Sequence, residues 1–150
     1  MFHRILVGID GSRRTEVVVN AAAGLALATR ASVHIVCAVD PAYFLEEANG
    51  VRPSNIDELD YPAAANEREG ADNLVRQVVA ELFTKGLEAS GMVVGGEPVQ
   101  ATLTTAFQLK CDIIVLGHRH LSWLGRITDR SVCHDLLEKS SIPVLVIPTG

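Results

Sequence analysis

Four short and nearly unbroken apolar runs constrain this chain most: Arg4 to Ile9, Val33 to Val39, Ile113 to Leu116 and Val144 to Ile147. Runs this short and this apolar fit strands covered on both faces, and such strands belong to parallel sheets. Between them the apolar spacing changes to that of a helix. Val17, Val18, Ala21, Ala22 and Leu25 predict a helix over 13–29, with Ser12 placed to cap it. Leu74, Val75, Val78, Val79, Leu82 and Phe83 draw one stripe, predicting a long helix over 62–90 that Gly91 ends. Met92-Val93-Val94 adds a short strand, expected at a sheet edge. Pro98 suits the first position of a third helix, marked by Val99, Leu103, Ala106 and Phe107. Val132, Leu136 and Leu137 mark a fourth. Five strands alternating with four helices call for an α/β fold: a parallel sheet, helices on both faces, right-handed crossovers.

Residues 40–61 break this rhythm. They hold Pro41, Pro53, an Asn49-Gly50 turn signal and the acidic Asp57, Glu58 and Asp60. The stretch reads as a long surface excursion. At 150 residues, 48% hydrophobic and 21% charged, the chain has the size and composition of one globular domain spanning 1–150. No apolar run is long enough to span a bilayer, and Gly8 to Gly11 interrupts the only apolar segment near the start. A cytoplasmic protein is expected. Cys37, Cys111 and Cys133 are odd in number and lack a Cys-x-x-Cys spacing, which suits free thiols, with Cys37 as a small core residue. A net charge of −5 disfavours nucleic acid and anionic membranes as partners.

The charge distribution is more informative than the sum. Five arginines, Arg13, Arg14, Arg119, Arg126 and Arg130, fall in two loops. In an open α/β sheet, ligands bind beyond the carboxyl ends of the strands, where the strand order reverses. If the first strand and the Ile113–Leu116 strand meet there, the loops Gly8 to Arg14 and Gly117 to Ser131 converge, with Ala38-Val39-Asp40 beside them. The convergence gathers Asp10, the arginines, His118, His120, Ser131 and the start of the fourth helix. A helix start and forked guanidinium donors suit a small anion or nucleotide. The alternative is a set of surface arginines that bind nothing specific.

The chain resembles a universal stress protein over nearly its whole length. The resemblance rests on Ile5-Leu6-Val7-Gly8-Ile9-Asp10-Gly11-Ser12, on Val94-Gly95-Gly96-Glu97-Pro98, on Cys111-Asp112-Ile113-Ile114-Val115-Leu116-Gly117, and on Ser141-Ile142-Pro143-Val144-Leu145-Val146-Ile147. It implies a Rossmann-like sheet of the adenine nucleotide alpha hydrolase-like kind, in strand order 3-2-1-4-5. It also implies cofactor-binding positions, Asp10, Val39, Gly117, Ser131 and Val132, to which Arg119 and Arg130 add side-chain donors on the chemistry of the loop. The ATP-binding members carry a glycine, a second glycine three residues on, and a third just before a Ser or Thr. Here Gly117 and Ser131 are kept, but His120 and Arg130 stand at the other two glycine positions. The glycines let backbone N–H groups approach phosphates, and bulky side chains fill that space. Gly117-His118 and Trp123 resemble the branch named after universal stress protein A, whose members lack these glycines. Two readings therefore stand. One is a dimeric stress-response module acting through protein contacts without ATP. The other is an adenine-nucleotide sensor in which Arg119, Arg126 and Arg130 replace the lost backbone donors.

The remaining chemistry is thin. His118, His120, Cys133, His134 and Asp135 are metal-ligand types without a structural zinc spacing. No nucleophile is paired with a general base, so the chain reads as a non-enzyme. The apolar Val144–Ile147 strand, last in the chain, is expected at an edge. Pairing with its own copy would cover it and make a homodimer.

Overall fold

The structure, a computed structural model, describes residues 2–40, 67–118 and 132–148. Within them the order is β1 (Arg4–Ile9), α1 (Thr15–Thr29), β2 (Ser32–Val39), α2 (Glu67–Thr84), β3 (Ala89–Gly95), α3 (Pro98–Gln108), β4 (Ile113–Gly117), α4 (Val132–Lys139) and β5 (Val144–Ile147). The strands form one parallel sheet in the order β3-β2-β1-β4-β5, as the resemblance implies. β1 lies at its centre, with Ile5 opposite both Val33 and Ile113, and Val7 opposite both Ile35 and Val115.

Successive strand side chains point to opposite faces, and the core divides accordingly. Ile5, Val7 and Ile9 join Ile35, Cys37 and Val115 under α1 and α2. Leu6 joins Val36, Ile114 and Leu116 under α3 and α4, where Val99, Ala106 and Leu136 complete the layer. Leu6 has no exposed surface, and burial of such a side chain stabilises by roughly 1.5–3 kcal/mol. No helix among the described residues is long and apolar enough to cross a membrane.

Several helix details differ from the expectation. Ser12 is not the cap of α1; Arg14 holds that position, without a side-chain cap bond. Ser12 instead sits in the preceding turn, where its hydroxyl accepts from the N–H of Arg14 at 3.3 Å. The long helix stops at Thr84, not at Ser90. Gly86 takes a left-handed turn at φ 80° and donates to the Phe83 carbonyl, and Leu87 bonds back to Leu82. Ser90 and Gly91 belong to β3, which is longer than expected and forms one edge of the sheet. The expected helical stretch 62–66 and the 41–61 part of the excursion lie outside the described residues.

The apolar stripes are also rotated from their expected phase. Phe83 and Phe107 are 59% and 81% exposed, and Val17 and Leu137 are half exposed. In α3 the buried face instead includes Thr102 and Thr105. Their hydroxyls donate to the carbonyls of Pro98 and Ala101, each at 2.7 Å, so neither enters the core unsatisfied. Pro98 is at the start of α3 as expected, and the Glu97 carboxylate caps it by accepting from Val99 and Gln100, both at 3.0 Å.

Gly91 ends no helix, but it has a packing role. A Cβ there would overlap Val75 Cγ1 and crowd Val79 Cγ2, both on α2. The missing side chain is what allows the edge strand to lie close beneath that helix. Gly91→Ala should therefore cost about 1–3 kcal/mol in denaturant unfolding. Val75→Ala in the same chain should recover part of that loss, measured as a double-mutant cycle.

Candidate functional site

β1 and β4 are neighbours whose crossovers leave in opposite directions, so the strand order reverses between them. The crevice beyond their carboxyl ends is the ligand position that this topology favours. Asp10 follows the last residue of β1 and is only 6% exposed. Its Oδ1 accepts from the N–H of Ser12 at 3.0 Å, an aspartate turn that holds the carboxylate in place. Gly11 makes this turn with φ 78°, a conformation few side chains tolerate. Thr15, buried at the start of α1, closes it by donating its N–H to the Ser12 carbonyl at 3.1 Å.

Val39 ends β2 as a fully buried apolar surface, and its carbonyl accepts from Gly96 at 3.1 Å. This bond ties the ends of β2 and β3 together. Asp40, half-buried, comes next. Gly117 ends β4 in a buried position, and the following His118 N–H donates to Ile147 at 2.8 Å. Of the cofactor positions that the resemblance implies, the topology therefore brings Asp10, Val39 and Gly117 to one edge of the sheet. Val132 opens α4. Arg119, Arg130 and Ser131 lie outside the described residues, as do His120 and Arg126. Arg13, exposed, and Arg14, half-buried, sit in the loop that leaves Asp10.

Electrostatics reveals groups that the sequence did not single out. Burial, followed by the carboxylates of Asp10, Glu67 and Asp72, pushes the Cys37 thiol up to about 12. Three carboxylates, one just after β1 and two from α2, therefore act on one point beneath the crevice. Glu67, itself buried, opens α2. The expected helix start at 62 places this residue in a second turn, which is why nothing in the sequence marks it.

Helix starts differ in what they leave available. The start of α3 already holds the carboxylate of Glu97, so its first N–H groups are engaged. A groove of about 420 Å³ lies off the crevice, between β3 and α3, lined by Val94, Gly96, Gln100 and Thr104. Among the described residues, no three His, Cys, Asp or Glu side chains are grouped to hold a metal. In α4, Cys133 is buried while His134 meets Glu138 on the exposed side at 3.2 Å, so the two diverge.

Comparison with known proteins agrees with this fold. The model described as "Universal stress protein family" matches residues 1–148. The universal stress protein YxiE of Bacillus subtilis is 30% identical, over 98% of this chain and 99% of its own. Universal stress protein UspA from Lactobacillus plantarum has a similar structure, with a TM-score of 0.73 at 20% identity, covering 97% of each chain. The universal stress protein from Archaeoglobus fulgidus in complex with dAMP has a TM-score of 0.66 at 21% identity, covering 97% of this chain and 98% of its own.

The raised Cys37 thiol has a direct consequence. Only the thiolate reacts with alkylating agents, and a group with its pKa near 12 carries almost none at pH 8. Mass spectrometry after iodoacetamide at about pH 8 should find Cys37 unmodified in the native protein and fully modified in denaturant.

Proposed function

Because the chain belongs to the universal stress protein family, we propose that it is a non-enzymatic, cytoplasmic stress-response module that acts as a homodimer through protein contacts. Its 150 residues work as one domain, and its crevice does not hold ATP tightly. The observation that carries this reading is the pair His120 and Arg130, which stand where the ATP-binding branch has glycines. A phosphate chain needs open space and bare backbone donors there.

Support for the dimer comes from β5. It is the outermost strand beside β4, and its Val144, Leu145, Val146 and Ile147 are only partly covered. Pairing two copies along this edge satisfies the free backbone groups and covers the apolar side chains together.

A second reading has its own support. Asp10 and Gly117 stand at the ends of the two strands that flank the switch point, with Val39 at the end of β2, and one structural neighbour is a dAMP complex. On this reading an adenine nucleotide is held at its base and ribose by Asp10 and Val39. Its phosphate end meets Arg119, Arg130, Ser131 and the start of α4 at Val132.

Thermal unfolding distinguishes the two. A ligand present at one hundred times its dissociation constant stabilises the fold by about 2.7 kcal/mol, which a melting curve detects readily. Millimolar Mg-ATP should leave the melting temperature unchanged in the native chain. It should raise it in the double variant His120→Gly, Arg130→Gly, where the space is restored. A clear shift in the unmodified protein supports the sensor instead, and Arg119→Ala should then reduce it. Sedimentation at micromolar concentration should show twice the chain mass, and a monomer there rules out the dimer.

A further inference from the structure

The outer side of α3 carries two features that the crevice does not use. Phe107 is 81% exposed, the most open large apolar side chain among the described residues. Beside it runs the groove of about 420 Å³ between α3 and β3. Gln100, Thr104 and Gln108 follow one another at four-residue spacing along its α3 wall, and Val94 and Ala101 add apolar surface. Glu97 is the one charged residue in the lining. With neither lysine nor arginine there, the groove is not built for a phosphate. Phe107 comes three residues after Thr104 and four after Leu103, so it stands at the rim, in one row with Gln100, Leu103 and Thr104.

The two ends of α3 carry opposite charges. Glu97 precedes its first turn and Lys110 follows its last, and both are exposed. The Glu97 carboxylate accepts from the N–H groups of Val99 and Gln100, and its oxygens keep lone pairs for a further donor. Lys110 takes the left-handed position, φ 53°, just past the helix end. An α3 turned end for end is therefore complementary to α3 itself. With two copies antiparallel and centred between Leu103 and Thr104, Glu97 meets the partner's Lys110, and Gln100 meets the partner's Phe107. One centre satisfies both pairs, and a two-fold axis repeats each of them.

We propose that the outer face of α3 is a self-association surface: two copies pair their α3 helices antiparallel, and Phe107 of each enters the mouth of the other's groove beside Gln100. The groove accepts the ring because its lining is neutral where the two meet, so an apolar side chain leaves water without stranding a charge.

This contact differs from pairing along β5 in place and in strength. β5 and β3 are opposite edges of the sheet, so both contacts can be made at once. The eleven residues of α3 span about 16 Å. Two such helices make a small interface of the transient class. It therefore forms at concentrations well above the micromolar range, joining whatever species is present there.

Sedimentation equilibrium of the full chain from about 10 μM to about 1 mM tests the contact as a ratio of masses. The weight-average mass should rise about 1.5- to twofold across that range. The ratio is the same test whether the dilute species is a monomer or a β5-paired dimer, so the two interfaces are judged separately. In Phe107→Ser the mass should stay constant. The side chain is exposed, so an unchanged melting temperature will show that the variant is folded. A constant mass in the native protein leaves the groove to a partner of another kind and overturns the proposal, as does a rise that survives in Phe107→Ser. Single cysteines read the geometry. The native Cys37, Cys111 and Cys133 are buried and do not compete. Near the two-fold axis, Thr104→Cys should form a disulfide with its own copy in a glutathione buffer at about 1 mM protein. Gln108→Cys should not, because about 13 Å along the helix would separate it from its copy, beyond the reach of a disulfide. Equal cross-linking of the two, or none at Thr104→Cys, also overturns the proposal.

Discussion

The whole arrangement depends on the burial of β1 within a parallel sheet. Its backbone is paired on both sides, and both of its faces are covered, Leu6 on one and Ile5, Val7 and Ile9 on the other. Parallel neighbours cannot be joined by a hairpin, so every connection must cross a face as a helix. Each crossover returns the chain to the same starting edge, and all five strands therefore finish on the same side. Asp10, Val39 and Gly117 come to the same edge of the sheet for this reason alone, although they are far apart in the chain and stand at the ends of three different strands. The crevice is a consequence of topology before it is a matter of side-chain chemistry.

Given that frame, acidic side chains from separate elements meet under the crevice. The carboxylates of Asp10, Glu67 and Asp72 act together on Cys37 under α1 and α2, while Arg13 and Arg14 leave on the loop above. Asp10 has a local duty as well, since its carboxylate accepts from Ser12 and shapes the turn into α1. A group that already holds its own loop is preorganised and loses little freedom when a ligand arrives. The capping of α3 by Glu97 works in the opposite direction. It engages N–H groups that would attract an anion, which leaves the start of α4 as the helix end that the arginine-rich loop leads into.

Strand positions were legible in the sequence because double-sided burial leaves an unbroken apolar run, as in β1 and β4. The alternation also revealed the parallel sheet. Its strand order came from resemblance, since periodicity does not say which strands are neighbours. Helix phase was less legible. Val17, Val18 and Val19 are equally apolar, yet docking on the sheet buries the last two and exposes the first. Phe107 fits a helical stripe by spacing, but Thr102 and Thr105 occupy the buried face because their hydroxyls are satisfied within the helix. Gly91 was misleading for a clear reason. Glycine is used both to end helices and to allow close approach, and only the neighbouring Val75 tells the two apart. Of the site, Asp10 and Gly117 could be read from their places at strand ends. Glu67 could not, because its role depends on where α2 begins.

The two edges of the sheet differ in a way that bears on assembly. β5 presents Val144 to Ile147, apolar and without a polar side chain among its four residues. β3 carries Ser90 and Gly91 near its amino end, with Ser90 engaged by His34 and Gly91 packed under α2. An edge pairs well with another strand when it is regular, apolar and free of side-chain commitments. β5 meets those conditions and β3 does not. The proposed dimer therefore has one natural edge, and its use leaves β3 on the outside of the assembly. The bond from Gly96 to Val39 connects the end of β3 to the residue beside Asp40. It extends the seven-residue pairing of β2 with β3 to the ligand end of the sheet.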